Sequence, residues 1–128
     1  MESLTLTDIF STDPDTLYNA WLDSDTHSGM TGSRAWIEPE INGRFTCWDE
    51  YIFGITLEMV PGKKIVQRWR TTEFPDDAGN SKIELTFDAV SEGTRLTLHH
   101  TNIPFGQAVF YKKGWLEFYF EPMKRYFS

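Results

Sequence analysis

Apolar residues recur along this chain in two periods, and the switch between them predicts its architecture. Leu4 and Leu6, followed by Ile9 and Phe10, predict a first strand with a bulge. Asp13-Pro14 reads as a helix start, because Asp caps free amide groups and Pro suits the first helical position. Leu17 and Trp21 then share a face at helical spacing. Ser24 is placed to cap a second short helix, which Gly29 or Gly32 would end.

From there the period becomes two. Arg34 to Glu38 is a weak strand candidate ended by Pro39, and Asn42-Gly43 is a tight-turn signal. Phe45 and Cys47 alternate with Arg44 and Thr46, and Phe53, Ile55, Leu57 and Met59 read as one strand face. After the turn at Pro61-Gly62, Ile65, Gln67, Trp69 and Thr71 share one side, opposite Val66, Arg68 and Arg70. A polar loop spans Phe74 to Asn80. Ile83, Leu85 and Phe87 form the next face, Ser91-Glu92-Gly93 turns the chain, and Leu96, Leu98 and His100 form the last. From near Gly106 the helical period returns. Tyr111, Trp115, Tyr119, Met123, Tyr126, Leu116, Val109, Phe120 and Phe127 occupy about half of a helical wheel at ~100° per residue. Lys113, Glu117, Glu121, Lys124 and Arg125 fill the other half, as expected of a helix lying on a sheet. Pro122 removes one backbone hydrogen bond and marks a bend or an early end. A strand, two helices, a run of strands and a last helix argue for an α+β fold rather than a doubly wound sheet.

Composition narrows the function classes. The 128 residues show no linker, repeat or low-complexity stretch, so a single domain over 1–128 is expected. A net charge of -7 disfavours nucleic acid and anionic membranes as partners. A lone cysteine, Cys47, excludes an intrachain disulfide and a multi-thiolate metal site, and suits a cytoplasmic location. Met1 to Thr5 lacks the basic region and long apolar run of a signal peptide.

Four stretches and the closing helix carry a family resemblance over nearly the whole chain. They are His27-Ser28-Gly29-Met30-Thr31-Gly32, Val60 through Arg70, Gly93-Thr94-Arg95-Leu96-Thr97-Leu98, Asn102-Ile103-Pro104, and Gly114-Trp115 through Tyr126. Together they resemble the activator of heat shock protein 90 ATPase homologue family, within the START-like (SRPBCC) superfamily. The resemblance implies a helix-grip fold, a curved antiparallel sheet around a long C-terminal helix with a cavity between them. It covers only the C-terminal domain of the eukaryotic co-chaperones, whose separate N-terminal domain contributes much of the chaperone contact. Asp49-Glu50-Tyr51 departs from the pattern, since relatives often have glycine after the aspartate.

Within that frame the candidate ligand-binding residues are Gln67, Trp69, His100, Lys112, Trp115 and Tyr119. By parity His100 and Gln67 face inward, either as hydrogen-bonded core groups or as polar anchors in a cavity. Lys112 falls in the apolar arc of the last helix, where its ammonium either snorkels to solvent or meets an anionic ligand head at the cavity mouth. Trp69 and Trp115 are the large rings on inward faces, and Phe110 and Phe118 lie away from the main apolar arc, where a partner could touch them. His99 and His100 point to opposite faces and cannot chelate one ion together. Asp76-Asp77 lacks the alternating oxygen ligands of a calcium loop. Cys47 reads as a buried inert thiol. No catalytic residue, metal site or cofactor is expected.

The reading these features favour is a non-enzymatic module holding a small hydrophobic or amphipathic molecule between sheet and helix. The alternatives are a co-chaperone that stimulates a heat shock protein 90-type ATPase and, third, a cyclase- or hydrolase-like enzyme of the kind found among START-like relatives.

Overall fold

The computed structural model describes residues 1–128. Seven antiparallel strands form one sheet in the order β1-β7-β6-β5-β4-β3-β2. They are β1 (Glu2–Phe10), β2 (Trp36–Ile37), β3 (Arg44–Cys47), β4 (Ile52–Val60), β5 (Lys64–Thr71), β6 (Ser81–Val90) and β7 (Gly93–Ile103). Helices α1 (Pro14–Leu22) and α2 (Ser24–Thr31) connect β1 to β2. After β7 the chain runs through α3 (Ala108–Trp115), a π-helical turn (Leu116–Phe120) and α4 (Glu121–Tyr126). The concave face of the sheet holds this closing helix, which is the helix-grip arrangement. Ile65, Ile83, Leu85, Leu96, Leu98 and Met123 lie between them with essentially no exposure.

Local chemistry explains most boundaries. The Asp13 carboxylate accepts the Thr16 amide at 3.2 Å, with Pro14 at the first helical position. Asp23, rather than Ser24, caps α2 by accepting the Thr26 amide at 2.9 Å. The Ser24 hydroxyl instead turns to β2. It accepts the Ile37 amide at 2.8 Å and donates to the Ile37 carbonyl at 3.3 Å. Gly32 ends α2 in the left-handed conformation at φ 77, where a side chain would be strained.

Three further expectations are corrected. The irregularity in β1 lies between Glu2 and Leu4, not between Leu6 and Ile9. Alternation runs on through Asp8, whose carboxylate sits 3.0 Å from the Lys124 ammonium of α4. In β4 the buried positions are Ile52 and Thr56, while Phe53 is exposed, so the Phe53/Ile55 row is the outer face. Gly54 shares the inward parity, and a Cβ there would collide with the Arg68 carbonyl and the Phe45 ring. In the closing helix, Val109, Leu116 and Tyr126 are exposed despite their place on the apolar arc. The π-helical turn is the reason. Pro122 has no amide hydrogen, and its ring would clash with the Phe118 carbonyl of a regular helix. One wider turn just before it relieves that clash, with the Glu121 amide reaching back to the Leu116 carbonyl. The added residue rotates the wheel, so Tyr119, Phe120 and Met123 are buried and Leu116 is not. The helix continues past Pro122 instead of stopping there.

Candidate functional site

A groove of about 540 Å³ opens between the closing helix and the β3–β5 end of the sheet. Trp48, Tyr51, Ile52 and Trp69 line its sheet side, and Phe110, Tyr111, Trp115, Phe118 and Tyr119 its helix side. Lys113 and Glu117 stand at the helix, 3.9 Å apart as an i,i+4 pair. The rings form a continuous wall. Trp69 and Trp115 centroids are 5.4 Å apart, Trp115 and Tyr119 4.9 Å, and Trp48 and Phe118 5.3 Å. Such edge and tilted contacts between rings are favourable beyond simple area burial. The Trp48 indole N–H is buried without a hydrogen-bond acceptor.

Polar networks fix this wall from behind. The Trp115 indole N–H donates to His100 Nδ1 at 3.1 Å, and His100 Nε2 pairs with the Ser81 hydroxyl at 2.9 Å. The Ser81 hydroxyl donates to the Trp69 carbonyl, so His100 Nε2 carries the hydrogen toward Ser81. This is a neutral imidazole with both nitrogens used. Burial, with a small contribution from neighbouring His99, lowers its pKa to about 3. His27 is built the same way. Its Nδ1–H donates to the Trp21 carbonyl at 2.8 Å and its Nε2 accepts the Tyr119 hydroxyl at 2.9 Å. Burial pushes its pKa down to about 4, against the backbone bond that favours the charged form. A third network holds the start of α3. The Glu73 amide donates to Thr71 Oγ1, which lies 2.7 Å from the Tyr111 hydroxyl, and that hydroxyl donates to Gln107 at 2.8 Å.

The candidate residues separate into three groups. Trp69, Trp115 and Tyr119 line the groove. His100 and Gln67 are buried behind it; Gln67 donates to Thr56 at 3.0 Å and accepts the Trp21 indole N–H at 3.3 Å. Both read as satisfied core groups, with no polar atom left over for a ligand. Lys112 is exposed and does not line the groove; Lys113, one residue on, does. Each residue turns the helix by ~100°, which is enough to move the ammonium from groove to solvent. Trp48, Phe110 and Phe118 are groove residues outside the candidate set. Phe110 and Phe118, eight residues apart and set off from the main apolar arc with only Gly114 between them at helical spacing, were the available signal for a second helix stripe.

Burial pushes the Cys47 thiol up to about 12, which holds it as an unreactive thiol. No three His, Cys, Asp or Glu side chains converge as metal ligands. No helix is long and apolar enough to cross a membrane.

A curved seven-stranded antiparallel sheet gripping a C-terminal helix, with an aromatic groove between them, defines a helix-grip domain of the START-like class. Residues 11–128 match the family described as Activator of Hsp90 ATPase homolog 1-like protein, and the chain belongs to that family. The human activator of 90 kDa heat shock protein ATPase homolog 1 is 30% identical over 98% of this chain. The Dictyostelium discoideum homologue is 26% identical over 99% of it. The chain spans only 37% and 33% of the length of these two relatives. A crystal structure of an HSP90 activator from Plasmodium falciparum superposes with a TM-score of 0.90 at 26% identity, covering 98% of this chain and 95% of that one.

Proposed function

We propose that this chain is an interaction domain that binds an Hsp90-type chaperone and raises its ATPase activity. One observation carries the reading. A Plasmodium protein described as an HSP90 activator matches this chain from end to end, with 95% of that chain covered. The longer relatives are named as activators too. The groove supplies a surface of the right kind. Exposed Phe110 and Phe118 flank it, and aromatic side chains in a partly formed pocket are the usual anchors of protein interfaces. This displaces the small-molecule module as the first reading. The experiment is steady-state ATP hydrolysis by a purified Hsp90-type chaperone, with and without the chain, after subtracting the rate left by a chaperone-specific inhibitor. A saturable increase supports the reading, and an unchanged rate in molar excess of the chain overturns it.

A second reading is that the groove holds a small hydrophobic molecule on Trp69, Trp115 and Tyr119. Its volume falls in the range of small-molecule pockets, and nine of its twelve lining residues are hydrophobic. The buried Trp48 N–H would donate to a polar atom of that ligand. Gln67 and His100 then act only by holding the wall, and Lys112 has no part. A single domain working in the cytoplasm, without nucleic acid or membrane partners, accords with both readings.

A further inference from the structure

The outer face of the sheet carries a second concavity that neither reading uses. It holds about 760 Å³ and is lined by Arg34, Arg44, Arg68 and Arg70 around Trp36, Phe53 and Ile55. Strand register builds it as two adjacent rows. Arg44 pairs with Ile55, Ile55 with Arg68, and Arg68 with Lys82, which makes a row of cations around one aliphatic residue. Two residues along, Trp36 pairs with Thr46, Thr46 with Phe53, and Phe53 with Arg70. Side chains two apart on a strand share a face, so both rows present to the same solvent.

The charges here have been left unpaired. The chain has 19 acidic residues against 12 basic ones, yet its ion pairs use only Lys64, Lys113 and Lys124. Arg34, Arg44 and Arg68 are exposed with no carboxylate in ion-pair range. Arg70 differs. It donates to the carbonyls of Ala78 and Pro75 and to Asn80, and lies 5.3 Å from the Phe74 ring centroid, so it anchors the loop after β5. Trp36 remains 49% exposed beside the free arginines, on the two-residue edge strand. The rim is mixed, because Asp49 and Glu50 also line the concavity. They are held there by a left-handed turn in which Trp48, Asp49 and Glu50 all have positive φ, at 54, 54 and 72. The Asp49 amide donates to the Arg34 carbonyl at 3.1 Å, tying that turn to the first arginine.

We infer that this outer face of β2–β5 is a docking surface for an acidic, aromatic-bearing segment of a partner protein. Charge complementarity selects that occupant. Three free guanidiniums offer forked donors to carboxylates, and Trp36 and Phe53 offer rings to stack on. A nucleic-acid backbone presents phosphates at every step and meets Asp49, Glu50 and a net charge of -7. A peptide places its carboxylates opposite the arginines and leaves neutral residues opposite Asp49 and Glu50. The surface is separate from the aromatic groove, since the two lining sets share no residue. It therefore stands or falls independently of the ATPase reading.

The test uses the 15N-labelled full chain, titrated at low salt with a synthetic decapeptide alternating glutamate and phenylalanine. The expected result is saturable shifts at the Trp36 indole and the β2–β5 amides. Arg44→Gln/Arg68→Gln should weaken the affinity by about tenfold, while Lys112→Gln/Arg125→Gln, at exposed residues of neither concavity, leaves it unchanged. Amide spectra of both double variants verify their fold, since all four side chains are solvent-exposed. Three results overturn the proposal: shifts confined to the groove, equal weakening by the two double variants, or tighter binding of a single-stranded oligonucleotide than of the peptide.

Discussion

Lowering the pH from 7 to 5 should destabilise this protein through two histidines that the fold keeps neutral. His27 and His100 are both essentially unexposed. The groups facing His27 are Trp21, Tyr119 and Cys47, and those facing His100 are Ser81, Trp69, Tyr111 and Trp115, none of them charged near neutrality. Their pKa values fall from 6.5 to about 4 and about 3. A folded pKa below the unfolded one means that the unfolded chain binds the proton first. The stabilisation is thus complete above 6.5 and is lost as pH falls toward the folded values. Each pH unit in that window costs up to about 1.4 kcal/mol per histidine, so at pH 5 the loss is about 2 kcal/mol each and about 4 for the pair. Against a typical stability of about 5–15 kcal/mol this is a large fraction. Glu2, Asp13, Asp23 and Glu92, whose pKa values are lowered below the ordinary carboxylate range, act at lower pH than this window. Urea unfolding followed by tryptophan fluorescence at closely spaced pH values measures the slope. His100→Gln should roughly halve it. Equal stability at pH 7 and 5, or an unchanged slope in the variant, would refute the assignment of two neutral buried imidazoles.

Other consequences can be checked one by one. Glu50 sits at φ 72, a conformation that costs a residue with a Cβ roughly 1–2 kcal/mol. Glycine's greater unfolded-state freedom returns part of that, so Glu50→Gly should raise stability by about 0.5–1 kcal/mol in a urea melt. Trp115→Phe keeps most of the ring volume but removes the donor to His100 Nδ1. It should lose about 1–3 kcal/mol and reduce the pH slope, because that nitrogen is freed to accept a proton. Phe110→Ala/Phe118→Ala removes two half-exposed rings at the groove. Stability should change by less than about 1 kcal/mol, while stimulation of a chaperone ATPase falls severalfold. Cys47, buried and pushed up to about 12, should resist a thiol reagent at pH 8 in the native state and react fully in urea.

The sheet was legible because most of its strands alternate cleanly. Ile65, Gln67, Trp69 and Thr71 on β5, and Leu96, Leu98 and His100 on β7, lie inward as their parity requires. Alternation misleads where the inner face carries small or polar groups and the outer face apolar ones. β4 is such a case, with Gly54 and Thr56 inward and Phe53 outward toward the arginines. β1 is another, since inward Asp8 reads as a break until Lys124 supplies its partner. The helical wheel assumed a constant ~100° step, and the π-helical turn before Pro122 breaks that assumption. For this reason the wheel could not place Val109, Leu116 and Tyr126. The groove itself was only half legible. Trp69 and Trp115 follow from inward parity, but the place of Trp48 depends on a left-handed turn made without glycine. Whether His100 and Gln67 face a ligand or the core depends on Ser81, Trp115, Thr56 and Trp21, partners that sequence spacing does not bring together.

Under the proposed function, this chain engages an Hsp90-type ATPase through its aromatic groove. The most direct measurement is the amide spectrum of the 15N-labelled chain titrated with the unlabelled chaperone and ATP. Saturable broadening centred on Trp48, Phe110, Gly114 and Phe118, absent in Phe110→Ala/Phe118→Ala, is expected. A spectrum untouched by excess chaperone, or broadening confined to a surface away from the groove, would contradict it.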